Sequence, residues 1–153
     1  MAEIWETIKD VALWVWGIDQ VRFTIDAFVK LGITTLLSGF IGYEREHSHR
    51  PAGFRTHILV AVGSALVMLT SVYIYDVQGM TGDVTRMSAQ VLSGIGFLGA
   101  GTILREGFSV KGLTTAASLW AVACIGIAVG AGFYAGAFVA TVVIYLTLNS
   151  RSS

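Results

Sequence analysis

Residues 113–148 read LTTAASLWAVACIGIAVGAGFYAGAFVATVVIYLTL, 36 positions without an Asp, Glu, Lys or Arg. As one helix at about 1.5 Å per residue the run would be roughly 54 Å long. The hydrocarbon core of a bilayer is only about 30 Å thick. The run must therefore divide, and Gly130-Ala-Gly132 is the place, because glycine accepts the backbone angles that a tight turn demands. Two membrane spans result, over about 113–130 and 132–149.

Other apolar blocks precede this one. One runs over about 23–43 and carries Asp26 and Lys30; another, over about 57–75, has no Asp, Glu, Lys or Arg. A third, over about 87–104, is short, rich in glycine and ends at Arg105. The whole chain is 54% hydrophobic and 13% charged, against about a quarter charged in soluble domains. Its side chains cannot coat a surface facing water. The fold class expected is an all-α membrane protein, a bundle of about five transmembrane helices preceded by an N-terminal amphipathic interfacial helix. That helix occupies residues 1–20, where Ile4, Ile8, Val11, Ala12 and Val15 recur at helical spacing beside Trp5, Trp14 and Trp16. Tryptophan favours the membrane–water boundary. Glu3, Glu6 and Asp10 stand where a cleavable signal needs cations, so no such signal is expected. Residues 21–153 form one transmembrane domain with no linker and no second domain.

Formal net charge is zero, so no overall field recruits nucleic acid. One cysteine, Cys124, allows no disulfide framework. With five spans, Arg45, Arg50, Arg55, Arg105, Lys111 and Arg151 fall on one side, and Lys9, Arg22 and Arg86 on the other. The excess places the first set in the cytoplasm, the N-terminus outside and the C-terminus inside.

Four groups of residues bear on function. The loop between the first two spans is the densest polar stretch: Glu44, Arg45, Glu46, His47, His49, Arg50, Arg55 and His57. It reads as a basic loop that binds headgroups, with Arg45 and Arg55 as anchors whose charged ends reach the interface. A metal reading of His47 and His49 is weak, because neighbours two apart on a helix do not face each other and no third ligand is specified. Asp26 and Lys30 are four apart, acid first, the favourable order for a helical pair. Inside a span such a pair is a structural ion pair or part of a polar pocket.

In the third span Asp83 stands at an N-cap position, three before Arg86. Arg86, Gln90, Ser93, Gly94, Phe97 and Gly101 then recur at steps of three or four, a stripe expected to face protein and not lipid. Tight packing and the lining of an ion or water path both fit. Thr114, Thr115 and Ser118 open the fourth span with hydroxyls able to bond across helices. Gly94, Gly96, Gly99 and Gly101, then Gly126 with Gly130 and Gly132 with Gly136, are candidate helix-packing positions. The glycine cluster at 94–101 lacks the Lys-Ser/Thr ending of a phosphate loop. No serine or cysteine stands beside a base, and no enzyme is expected.

Several stretches carry a resemblance. Gly42-Tyr-Glu-Arg-Glu46, Ala52-Gly-Phe-Arg-Thr-His57, the run from Arg86 to Leu104 and Gly112-Leu-Thr-Thr-Ala-Ala-Ser-Leu-Trp-Ala-Val-Ala123 resemble the membrane domain of the MgtC/SapB family. The match covers about 30–134 in the family's order. It implies a multi-pass protein of the bacterial cytoplasmic (inner) membrane, linked to growth in low magnesium and to intracellular survival. For the best-known member it also implies restraint of the F-type ATP synthase by contact within the membrane. The family's polar positions fall on Lys30, Glu44, Arg45, Arg55, Thr56, His57, Asp83, Arg86, Gln90, Thr114, Thr115 and Ser118. Val84 departs from the family's usual proline, and the soluble C-terminal domain of longer members has no counterpart here.

The function expected is that of a non-enzymatic regulator acting by contact with other membrane proteins. The alternative is a Mg²⁺ or other cation transporter component with its polar site near Asp83, Arg86 and Gln90. Magnesium demands an octahedral set of oxygens, and the carboxylates near the spans are scattered. No resident cofactor is expected, and a Mg²⁺ association stays open. The expected partners are membrane lipids and other membrane proteins, with homo-oligomers also open and nucleic acid excluded.

Overall fold

A computed structural model describes residues 2–76, 78–79 and 81–150. The described elements are α1 (Ala2–His47), α2 (Phe54–Asp76), α3 (Arg86–Gly101), the strands β1 (Leu104–Glu106) and β2 (Ser109–Lys111), α4 (Leu113–Gly130) and α5 (Tyr134–Asn149). The chain is the all-α membrane bundle that its hydropathy demands. By length and composition, Gly17–His47, α2 and α4 can each cross a bilayer. Helices α3 and α5 have 16 residues each, about 24 Å, and fall short of a hydrocarbon core of about 30 Å.

Helix α4 lies at the centre, packed against all four other helices and chiefly against α2; α2 also packs against α1, and α5 sits against α1 and α4. The core is small-sided: Ile41, Ala61, Val122, Ile125, Val129 and Ala137 are buried together. Lipid tails are as apolar as leucine, so membrane helices gain by close contact and not by escaping water. Gly126 supplies that contact, since a Cβ there would overlap the carbonyl oxygen of Ala61 on α2. A Cβ at Gly130 would come within 2.8 Å of Ala65 O and Met68 Cβ.

The break at 130–132 is a Schellman turn. Gly132 has φ +86; its N–H donates to Val129 O at 2.9 Å and the next N–H, of Phe133, to Ala128 O at 2.8 Å. Helix α1 ends in the same way, with His49 in the left-handed region at φ 53. There the His49 N–H donates to Glu46 O and the Arg50 N–H to Arg45 O, both at 3.0 Å.

The structure differs from expectation in two details. The N-terminal residues are helical, as expected, but helix α1 runs unbroken for 46 residues, so residues 2–20 continue directly into the first span. No proline and no glycine in a turn conformation interrupts it. The third block ends earlier than residue 104. After Gly101 the chain leaves the helix and pairs Leu104 with Lys111, Arg105 with Val110 and Glu106 with Ser109, antiparallel. Gly107, at φ +62, takes the first central position of this two-residue hairpin and Phe108 the second, the type II′ arrangement.

Candidate functional site

The sequence stretches 42–48, 52–57 and 112–118, apart along the chain, meet at one end of the bundle. Arg45 is 2% exposed and Glu44 9%, so neither is the interfacial anchor or headgroup ligand expected of that loop. The Arg45 guanidinium grips the Glu44 carboxylate through Nε to Oε2 and through Nη2 to Oε1 at 2.8 Å. Nη2 also donates to Leu148 O at 3.1 Å, on the last turn of α5. Ser48 Oγ donates to Glu44 Oε1 at 2.8 Å. A buried pair of this kind survives only when its remaining lone pairs and protons are also engaged. Here they are. Lys30 and Asp26 form the expected pair at 2.7 Å, with Lys30 the more deeply buried partner.

Beside this cluster His57 is fully buried. Its Nδ1 lies 2.8 Å from Gly53 O and its Nε2 3.0 Å from Ser118 Oγ on α4. A carbonyl only accepts, so Nδ1 carries a proton, and in the neutral ring Nε2 accepts from the Ser118 hydroxyl. Ser118 Oγ also lies 2.8 Å from Thr115 O. A ring protonated at both nitrogens would donate to Ser118, which would then donate to Thr115 O. Of the hydroxyls expected to bond across helices, Ser118 does so, Thr115 is buried, and Thr114 is exposed. Arg55 and Thr56 are exposed. Glu46 was not singled out beyond its place in the loop, yet its Oε2 accepts the Phe54 N–H at 2.9 Å. That puts a carboxylate at the start of α2, where the helix dipole favours it. A carboxylate just ahead of a helix start was the signal that could have found it.

Helix α3 differs most from expectation. Its buried positions are Ser88, Ile95 and Gly99, with Gly99 against Ala116 of α4. Arg86, Gln90, Ser93, Gly94, Phe97 and Gly101 are all exposed, so the stripe is not packed within this chain. A Cβ at Gly94, Gly96 or Gly101 would meet nothing within 4 Å. At Gly136 the nearest atoms it would meet belong to the ring of Phe133, in the same turn region. Spacing of three and four defines a face but cannot say which face a bundle buries.

Asp83 is not the N-cap of α3; Thr85 is. Asp83 Oδ1 instead accepts the Thr85 N–H at 2.8 Å and the Thr85 hydroxyl at 2.6 Å. Those bonds, with the nearby Arg86 charge, hold the Asp83 carboxyl below its ordinary value. Asp83, Arg86, Ser71, Ile74, Tyr75 and Met87 border an open cavity of about 200 Å³. Among the described residues no group of three or more His, Cys, Asp or Glu is placed to hold a metal. His49 Nδ1 faces His47 O at 3.0 Å, so these histidines share a turn and not a ligand set.

A family model described as "MgtC family" matches residues 31–153. The chain belongs to the MgtC family. MgtC of Brucella abortus (strain 2308) is 52% identical over 111 residues, 71% of this chain and 44% of that protein. SapB of Bacillus subtilis (strain 168) is 40% identical over 139 residues, 88% of this chain and 58% of SapB. YhiD of Escherichia coli (strain K12), whose name gives magnesium transport as a provisional role, is 40% identical over 115 residues, 72% of this chain and 54% of YhiD. The chain thus spans about half the length of the curated MgtC-type relatives it matches. No solved structure matches it. The converging stretches 42–48, 52–57 and 112–118 all lie inside the part that the MgtC family model covers.

Proposed function

We propose that this MgtC-family protein works in the bacterial cytoplasmic membrane as a non-enzymatic regulator of adaptation to low magnesium, by contact with other membrane proteins. The outward face of α3 carries this reading. Gln90 and Ser93 are exposed there beside Ala89, Gly96 and Ala100. Polar side chains are costly against acyl chains, and small residues let a second helix approach closely. The F-type ATP synthase is the partner that the family resemblance suggests. The paired charges support the same reading: buried Glu44 is held by Arg45, and half-exposed Asp26 pairs with Lys30, so both carboxylates already have a cation beside them in place of Mg²⁺. The N-terminus lies outside and the arginine-rich end in the cytoplasm, in keeping with the distribution of Lys and Arg.

The test is photo-crosslinking in native membranes from a reactive amino acid at Phe97, which is 83% exposed. A defined protein adduct that disappears in Ser93→Trp, while the variant keeps its unfolding temperature, is the expected result. Adducts to lipid alone would defeat the contact reading. A cation-transport reading rests on the cavity bordered by Asp83 and Arg86. Mg²⁺ flux into proteoliposomes that Asp83→Ala abolishes would put transport in place of regulation.

A further inference from the structure

The hairpin between α3 and α4 has a tip for which the fold has no use. Phe108 is fully exposed, at 105% relative accessibility. Turn geometry fixes Gly107 by its positive φ but demands no aromatic beside it; the second position of a type II′ turn takes almost any residue. A single exposed apolar side chain is ordinary. This one is not single along the segment: Leu104 and Val110 are exposed on its two strands, and Ile103 and Leu113 are exposed at its base. Two cationic residues, Arg105 and Lys111, stand in the same eight-residue segment 104–111, which has one acidic residue, Glu106. Arg105 Nε reaches Gly107 O at 3.3 Å, so this cation is drawn toward the turn.

Connectivity decides what medium this surface meets. Helix α4 can cross the bilayer, and β2 ends at Lys111, two residues before it starts. Gly112, at φ +91, sits so close to Thr102 that a Cβ there would overlap the Thr102 carbonyl oxygen. The hairpin is therefore fastened to the helix ends, at the level where headgroups begin. It shares that end with the Arg45 cluster, since Ser118 in the second turn of α4 meets His57 in the first turn of α2. Aromatic rings prefer this zone, and cations are attracted there by anionic lipid.

We propose that the hairpin 104–111 is a membrane-surface anchor. Phe108 enters the zone between headgroups and acyl chains, and Arg105 and Lys111 engage the phosphates of anionic lipids. The occupant of this surface is lipid, not a protein. The proposal depends on the chain's being membrane-embedded and not on the regulator reading.

The experiment uses full-length protein carrying Cys124→Ala and Phe108→Cys, with an environment-sensitive fluorophore on the new thiol. It is reconstituted in phosphatidylcholine vesicles with and without phosphatidylglycerol. Insertion in either direction serves, because depth and not sidedness is read. The expected result is blue-shifted emission, quenched by lipids brominated near the headgroup and protected from aqueous iodide. Phosphatidylglycerol should increase the protection, and Arg105→Gln with Lys111→Gln should remove that increase. Free access of iodide would overturn the proposal. So would blue-shifted emission that brominated lipid does not quench, which would mean a protein contact. A double variant that responds to phosphatidylglycerol as the parent does would overturn the role of the two cations.

Discussion

Arg45 is held by two dissimilar partners, a carboxylate on its own helix and a backbone oxygen on α5. Removing the carboxylate leaves a buried guanidinium short of its counter-charge, which costs about 3–5 kcal/mol. Glu44→Gln should therefore lower the unfolding temperature in detergent sharply. The double change Glu44→Gln with Arg45→Met should cost less than the sum of the two single changes, because the second removes the charge that the first stranded. Additive losses would mean that the two side chains act independently. Asp83 offers a contrast, being exposed and hydrogen-bonded through its carboxylate to Thr85. Its carboxyl is lowered in the folded chain, chiefly by the Thr85 side-chain and backbone bonds. Its contribution is thus complete above the ordinary carboxylate value and is lost as pH falls through the lower folded value. Hydrogen exchange at the Thr85 amide should show protection that holds at neutral pH, fails only in acid, and loses its pH dependence in Asp83→Asn.

Glycines that look alike in sequence separate once the helices are placed. Gly126 lies under Ala61 of α2, whereas Gly96 faces open space on α3. Gly126→Leu should destabilise by more than the usual overpacking range of about 1–3 kcal/mol, because the obstruction is backbone and cannot turn aside. Gly96→Ala should instead stabilise the isolated protein by about 0.5–1 kcal/mol, the difference between the two residues inside a helix. Equal effects in thermal unfolding would contradict the packing described. The ends of α4 were legible because Gly130-Ala-Gly132 is a strong punctuation mark inside a charge-free run. The hairpin was not, since three-residue strands carry no periodicity to read. The continuity of α1 was not legible, because the tryptophans at 5, 14 and 16 mark an interface and cannot say whether the helix that carries them stops before the first span. The polar stripe of α3 was legible as a face, but its direction was not, because only the packing of Ser88, Ile95 and Gly99 against its neighbours sets that.

At the Arg45 end of the molecule the termini of α1, α2, α4 and α5 gather into a polar layer, and the order of Lys and Arg predicts that this layer meets the cytoplasm. In a Cys124→Ala background, Gln78→Cys should react with an impermeant maleimide on intact cells, and Arg50→Cys only after lysis; the reverse would invert the topology. The convergence of 42–48, 52–57 and 112–118 was beyond sequence reading, since each is unremarkable alone and only the fold sets His57 against Ser118. One bond of that layer also bears on how the protein is made. Arg45 and the Leu148 carbonyl are 103 residues apart. At roughly 5–20 residues per second, the arginine leaves the ribosome about 5–20 seconds before its last acceptor exists. During that interval Glu44 must shield the charge, and the insertion machinery has to keep a place open for α5.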